Sequence, residues 1–168
     1  MWPLINRAFQ QHSRAIRALL PDAEVEHIGA TAVPGSLTKG DLDLLVRVPP
    51  EELSAAVQAL QERYAIYQRE NWTETYASFV DEQADDPRVG VQLVVAGSDL
   101  DVAFVSIRRL LRSRPDLVER SNDLKRSFEG GDPQEYVAAK QAFIEALLQE
   151  IEPARLAPEA AFPFSSDD

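Results

Sequence analysis

The sequence contains no cysteine, which removes disulfides, zinc–thiolate sites and thiol nucleophiles together. Histidine is scarce: His12 and His27 are the two present, too few for a histidine-rich metal cluster. No apolar run approaches the ~20 residues that a membrane-spanning helix needs. The amphipathic stretch MWPLINRAFQQHSRAIRALLP lacks the unbroken apolar core of a signal peptide. Positive charge is also short, with 17 Lys and Arg against 28 Asp and Glu, for a net charge of −11. Such a surface repels phosphate backbones and anionic lipid, so it argues against a membrane or nucleic-acid partner unless a local basic cleft intervenes. What remains is a soluble, cytoplasmic, acidic α/β protein whose 168 residues suit one domain.

Organisation follows from periodicity. Leu4, Ile5, Ala8, Phe9, Ile16, Leu19 and Leu20 recur at helical spacing and predict a helix over residues 3–20, stopped by Pro21-Asp22. Glu24–Ile28 reads as a short strand ending at Gly29. Asp41–Val48, DLDLLVRV, reads as a buried strand ended by Pro49-Pro50. Leu53, Ala56, Val57, Leu60 and Tyr64 mark a second helix. TETYASFV (73–80) and VGVQLVV (89–95) are further strands, separated by an Asp85-Asp86-Pro87 turn. The last third, about 100–151, is helical, broken at Gly130-Gly131 and resumed after Pro133. The order α-β-β-α-β-β followed by three helices predicts an α+β domain over residues 1–152, a small mixed sheet with helices on one side. Residues 153–168 form an acidic tail containing Pro153, Pro158 and Pro163.

The chemistry concentrates in Val25–Val48, VEHIGATAVPGSLTKGDLDLLVRV. Side chains two apart on a strand share a face, so Asp41 and Asp43 are expected side by side at the start of a strand. Two adjacent carboxylates repel unless a cation joins them. Mg²⁺, or Mn²⁺ in its place, is the expected partner, since Mg²⁺ binds through one or two carboxylates plus substrate phosphates. The preceding loop supplies complementary parts. Gly29 lets the chain turn sharply and admits a phosphate close to the backbone. Thr31 and Ser36 offer hydroxyls, and Lys39 offers positive charge. Each of these residues alone has a plainer use, as a turn glycine, a local cap or a solvated lysine; their combination points to a nucleoside triphosphate held by its phosphates.

The segment resembles a known family. Ile28-Gly29-Ala30, ten residues, then Asp41-Leu42-Asp43-Leu44 resembles the nucleotidyltransferase-fold superfamily pattern of hydrophobic-Gly-[Gly/Ser], a spacer and Asp-hydrophobic-Asp-hydrophobic. More closely, EHIGATAVPG is similar to the EHIGSTAVPG signature of the GrpB-like family, a branch of that superfamily. IRRLLRSRPDLVERSNDLKR and YVAAKQAFI continue the likeness, which spans roughly residues 2–150. The resemblance implies a nucleotidyltransferase-like mixed sheet flanked by helices, with a helical C-terminal third. It matches Gly29, Thr31, Val33, Pro34, Gly35, Lys39 and Asp43 to family positions. Ala30 stands where serine is usual, and Asp41 stands where many relatives carry an apolar residue.

The third long strand departs from the pattern. Active members of the superfamily usually add a third carboxylate on a neighbouring strand, and VGVQLVV offers Gln92, an amide oxygen without charge. Asp81, Glu82 and Glu74 are alternative sources. His27 either orients the loop or is structural. Arg47 either pairs with acids or binds an anionic substrate. Trp72 and Tyr76 are core residues or stack a base. Arg108, Arg109, Arg112 and Arg114 form a dense basic cluster, either solvated or a phosphate rim. Lys125 and Lys140 either line the same cleft or are solvated. Besides a partner protein whose acidic surface and tail matter and whose cleft is vestigial, two functions follow. One is Mg²⁺-dependent transfer of a nucleotidyl group from a nucleoside triphosphate to an unknown acceptor, with Asp41 and Asp43 catalytic. The other is a catalytically inactive nucleotide- or phosphate-binding module of the same fold.

Overall fold

A computed structural model describes residues 1–151; the acidic tail read from the sequence lies outside the described residues. Helix α1 spans Trp2–Leu19, with Pro3 in its first turn, and buries Ile5, His12, Ser13 and Ile16 along one stripe. Strand β1, Glu24–Ile28, follows, and a 3₁₀ turn over Ala30–Ala32 opens the loop to β2, Leu42–Val48. After α2, Leu53–Leu60, come β3, Ala65–Ile66, β4, Tyr76–Asp85, and β5, Arg88–Val95. Three helices complete the described residues: α3, Asp99–Ser113, α4, Pro115–Ser127, and α5, Pro133–Ile151. No helix among them is long and apolar enough to cross a membrane.

The five strands form one mixed sheet in the order β1-β2-β5-β4-β3. β2 and β5 run parallel, and every other neighbouring pair is antiparallel. The register places Ile28 and Gly90 on either side of Asp43, and Gln92 opposite Leu45. β2 alternates strictly. Leu42, Leu44, Val46 and Val48 pack with Ile5 and Ile16 of α1 and with Ala56 and Leu60 of α2. Leu45 faces the other way, with Ile28, Tyr76 and Val94, under Leu100, Phe104 and Val105 of α3. Helices therefore cover both faces, which corrects the expectation of helices on one side. β2 is apolar in both alternating sets near its middle, so one helical layer could not bury it.

The starts of two strands shift, and one short strand is new. β2 begins at Leu42 rather than Asp41. β4 begins at Tyr76 because Thr73 and Tyr76 close a tight turn, with the Thr75 N–H on Thr73 Oγ1 at 3.2 Å. The two-residue β3 was not read from the sequence, being too short to show a period.

Candidate functional site

The loop after β1 is fixed by hydrogen bonds. Thr31 Oγ1 donates to the Asp41 carbonyl at 2.8 Å and lies 2.8 Å from His27 Nε2. A hydroxyl has one proton, so with it on Asp41 the imidazole Nε2–H must donate to Thr31. Burial, with the charges of Arg112 and Arg108, pushes the His27 imidazole down to about 4 and keeps it neutral. The relay His27 to Thr31 to Asp41 closes the loop across its two ends. Helices hold it from above. Arg108 Nη1 donates to the His27 carbonyl at 2.8 Å, and Arg112 Nε donates to the Ala32 carbonyl at 2.7 Å. Buried Asn122 of α4 accepts from the Leu37 N–H at 2.8 Å and donates to the Gly35 carbonyl at 2.9 Å, so its amide brackets Ser36. Lys125 Nζ donates to the Leu37 carbonyl at 2.6 Å.

Below the loop lies a cleft of about 130 Å³ between the sheet and α3–α5. Gly29, Ala30 and Ser36 line it from the loop, and Asp43, Gly90 and Gln92 from the sheet. Its opposite wall is largely apolar, with Phe104, Ile107 and Leu111 of α3 and Phe143, Ile144 and Leu147 of α5. Among the described residues, the charged lining consists of Arg88, Arg108, Lys125 and Lys140 against one carboxylate, Asp43. A protein of net charge −11 thus carries a predominantly basic cleft, the local exception that anion binding in an acidic protein requires.

Asp43 sits between two glycines. At Gly29, whose φ is +81°, a Cβ would stand 2.5 Å from Asp43 Oδ2; at Gly90 it would stand 3.0 Å from Oδ1. Gly29 is therefore required twice, by its backbone angle and by the carboxylate beside it. Gly90 leaves open the space over β5 next to Asp43. Further along β5, Gln92 Oε1 accepts the Tyr76 hydroxyl at 2.5 Å. Burial raises the Tyr76 pKa and the Asp43 charge raises it further, so this hydroxyl is a neutral donor.

The structure brings Gly29, Ala30, Ser36, Asp43 and Gln92 to the cleft, and Thr31 and His27 to the loop's anchoring. Asp41 lies one residue before β2 and meets Thr31 through its carbonyl; it is not in the cleft lining, nor is exposed Lys39. Arg47 bonds Asp101 of α3 and pairs with Glu26 at 3.1 Å and Glu24 at 3.4 Å, a network joining β1, β2 and α3. Burial alone would raise the Glu26 carboxyl, but its bonds to Arg47 and Arg108 outweigh this and hold it below its usual range. Lys125 and Lys140 both line the cleft. Asn122 escaped the sequence reading; its signal was one polar side chain four residues after Val118 on a buried helix stripe.

Among the described residues no second carboxylate lines the cleft with Asp43. Asp81 is buried on the opposite face, where Arg63 holds it through two bonds of 3.0 and 2.9 Å, and Glu74 and Glu82 are exposed. Among the described residues no group of three or more His, Cys, Asp or Glu could hold a metal ion. One carboxylate among four basic side chains is a poor donor set for a resident Mg²⁺ or Mn²⁺.

A protein-family model described as GrpB protein matches residues 2–150. This chain belongs to the GrpB family. It is 39% identical over 140 residues to a UPF0157 protein of Vibrio cholerae, covering 83% of this chain and 73% of that one. It is 32% identical over 143 residues to a UPF0157 protein of Deinococcus radiodurans, covering 84% and 74%. The crystal structure of GrpB from Enterococcus faecalis superposes with a TM-score of 0.70 at 22% identity, over 88% of this chain and 92% of that one. The GrpB fold here is a mixed five-stranded sheet flanked by helices. The Cid1 poly(U) polymerase lies further off, at a TM-score of 0.47 and 15% identity over 69% of this chain, too slight a likeness to bear on function.

Proposed function

We propose that this GrpB protein is a binding module for nucleotides, seating the phosphates in the basic cleft and the base against the apolar wall of α3 and α5. The observation that carries this reading is the reversal of charge: four basic side chains line one cleft of a strongly acidic protein. Phosphates would meet the Lys125 and Lys140 side chains and the loop at Ser36, and the apolar wall would accept a planar base. Asp43 would accept a hydrogen bond from a ligand hydroxyl or amine. A cytoplasmic setting, where nucleotides are found, goes with this reading.

Mg²⁺- or Mn²⁺-dependent nucleotidyl transfer to an unknown acceptor, with Asp41 and Asp43 as ligands, is the second reading. It is favoured by the two glycines that clear space at both oxygens of Asp43. Against it stand the one carboxylate that the described residues bring to the cleft and the position of Asp41 outside the lining. A thermal-shift screen of nucleoside mono-, di- and triphosphates, each with EDTA and with Mg²⁺, separates the two, because ligands of the native state raise its apparent stability. The binding reading expects stabilisation by nucleotides in EDTA. Stabilisation only with Mg²⁺, together with pyrophosphate release from a triphosphate, would establish the transfer reading instead.

A further inference from the structure

We propose that Gln92, oriented by Tyr76, presents an amide N–H donor to the cleft where a metal site would need an acceptor, so that phosphate oxygens are bound directly, without a divalent cation. The inference rests on the nucleotide-binding reading and deepens it: the ligand is taken as a free anion rather than as its metal complex.

The argument begins with the Tyr76 hydroxyl. Its oxygen is 2.5 Å from Gln92 Oε1, and the neutral phenol has one proton to give. An amide whose oxygen accepts that proton has its NH₂ group on the other side. That side faces Gly90, where the position a Cβ would occupy is 3.9 Å from Gln92 Nε2 and 3.0 Å from Asp43 Oδ1. The open space over β5 is thus bounded by one acceptor, Asp43, and one donor, Gln92. An NH₂ group cannot ligate Mg²⁺, whereas a carboxylate at this place would. The donor extends the charge pattern of the cleft, since Arg88, Arg108, Lys125 and Lys140 are also donors without an acceptor atom. Gln92 itself is half-buried and lines the cleft, so a ligand oxygen can reach it. Tyr76 is a positioning residue: buried, it touches Gln92 and fixes which end of the amide turns inward.

The test compares wild type with Gln92→Glu, Gln92→Met and Tyr76→Phe in two measurements. Mn²⁺ binding to the protein alone is followed by electron paramagnetic resonance. Pyrophosphate and ATP binding are followed calorimetrically in EDTA and in Mg²⁺. Gln92→Glu keeps size and still accepts the Tyr76 hydroxyl, so the fold is retained. Wild type should bind no Mn²⁺ by itself and should bind ATP with similar affinity in both media. Gln92→Glu should gain Mn²⁺ binding and lose about tenfold or more in EDTA, the scale of one charge-assisted hydrogen bond replaced by repulsion. Gln92→Met should lose affinity in both media without gaining Mn²⁺. Tyr76→Phe should lose a smaller factor, because its amide can turn either way. Mn²⁺ binding by wild type, or unchanged ATP affinity of Gln92→Glu in EDTA, would overturn the proposal. If wild type bound neither pyrophosphate nor any nucleotide, the nucleotide-binding reading would fall. The Mn²⁺ titrations would still decide which end of Gln92 faces the cleft.

Discussion

On one face of the sheet, α1 and α2 close over Leu42, Leu44, Val46 and Val48 of β2, with Phe79, Val91 and Leu93 from the neighbouring strands. On the other face, the alternate residues of the same strand are Asp43, Leu45 and Arg47. Among the described residues, the first face holds buried Ser13 and a polar group centred on His12. Tyr64 lies 2.8 Å from His12 Nδ1, and His12 Nε2 faces Asp81 at 3.8 Å. Asp81 is closed off by Arg63. Burial lowers the His12 pKa more than Asp81 raises it, so the ring stays neutral there. The second face is stitched by charges, Arg47 with Asp101 and Arg108 with Glu26, and it leaves a cleft open. A sheet can be sealed on one side by dispersion and area burial. It can keep the other side polar only if each buried charge has a partner. That division lets one face carry stability while the other keeps an open cleft.

Leu44→Ala strikes the sealed face and should have the largest effect on stability, ~2–5 kcal/mol by urea unfolding, because Leu44 is fully buried and its truncation leaves a cavity in the core. Protein that remains folded should bind ATP as wild type does. Arg47→Met tests the stitched face. It leaves Asp101 and Glu26 without their shared cation and should cost about 2–3 kcal/mol, less than a fully buried pair because Arg47 also reaches exposed Glu24. If it were neutral or stabilising, the claim that charges hold α3 to the sheet would fail.

Gly29→Ala should cost about 1–2 kcal/mol, since alanine is strained at φ +81°. It should cost binding more, because the new methyl displaces the Asp43 carboxylate. Between about pH 6.5 and 4, stability should fall as pH falls. The native His27 resists the proton that its unfolded counterpart accepts, so the unfolded state binds more protons across that window and gains on acidification. His27→Gln should flatten part of this slope, with the share of His12, whose pKa is also lowered, remaining; an unchanged slope would mean His27 is not held neutral. Lys140→Ala should have the smallest effect on stability, about 1 kcal/mol or less, yet weaken ATP by about tenfold. A reversed ranking, stable binding with a broken fold, would place Lys140 in the scaffold rather than the site.

The sheet was legible because β2 alternates apolar residues with Asp43 and Arg47, and because Gly29 and Pro49 mark the ends of the flanking segments. The second helical layer was not legible. A strand buried on both faces reads as one apolar run, and nothing in that run says which helix lies on which side. The loop was read as a phosphate cradle from Gly29, Thr31, Ser36 and Lys39. Thr31 instead spends its proton on the Asp41 carbonyl. Lys39 is exposed and outside the cleft lining, while Lys125 and Lys140 bring the charge from helices ~100 residues away, a proximity no local spacing encodes. Strand parity placed Asp41 beside Asp43, but β2 begins one residue later, and parity applies only inside a strand.

The most direct test of the claim that one face carries the ligand is amide-shift mapping by NMR on addition of ATP in EDTA. The account predicts saturable shifts at Gly29, Ala30, Ser36, Gly90 and Gln92 and along the cleft faces of α3 and α5, with His12, Tyr64 and Leu44 unmoved. Shifts centred on α1 and α2, or none at saturating ATP, would contradict it.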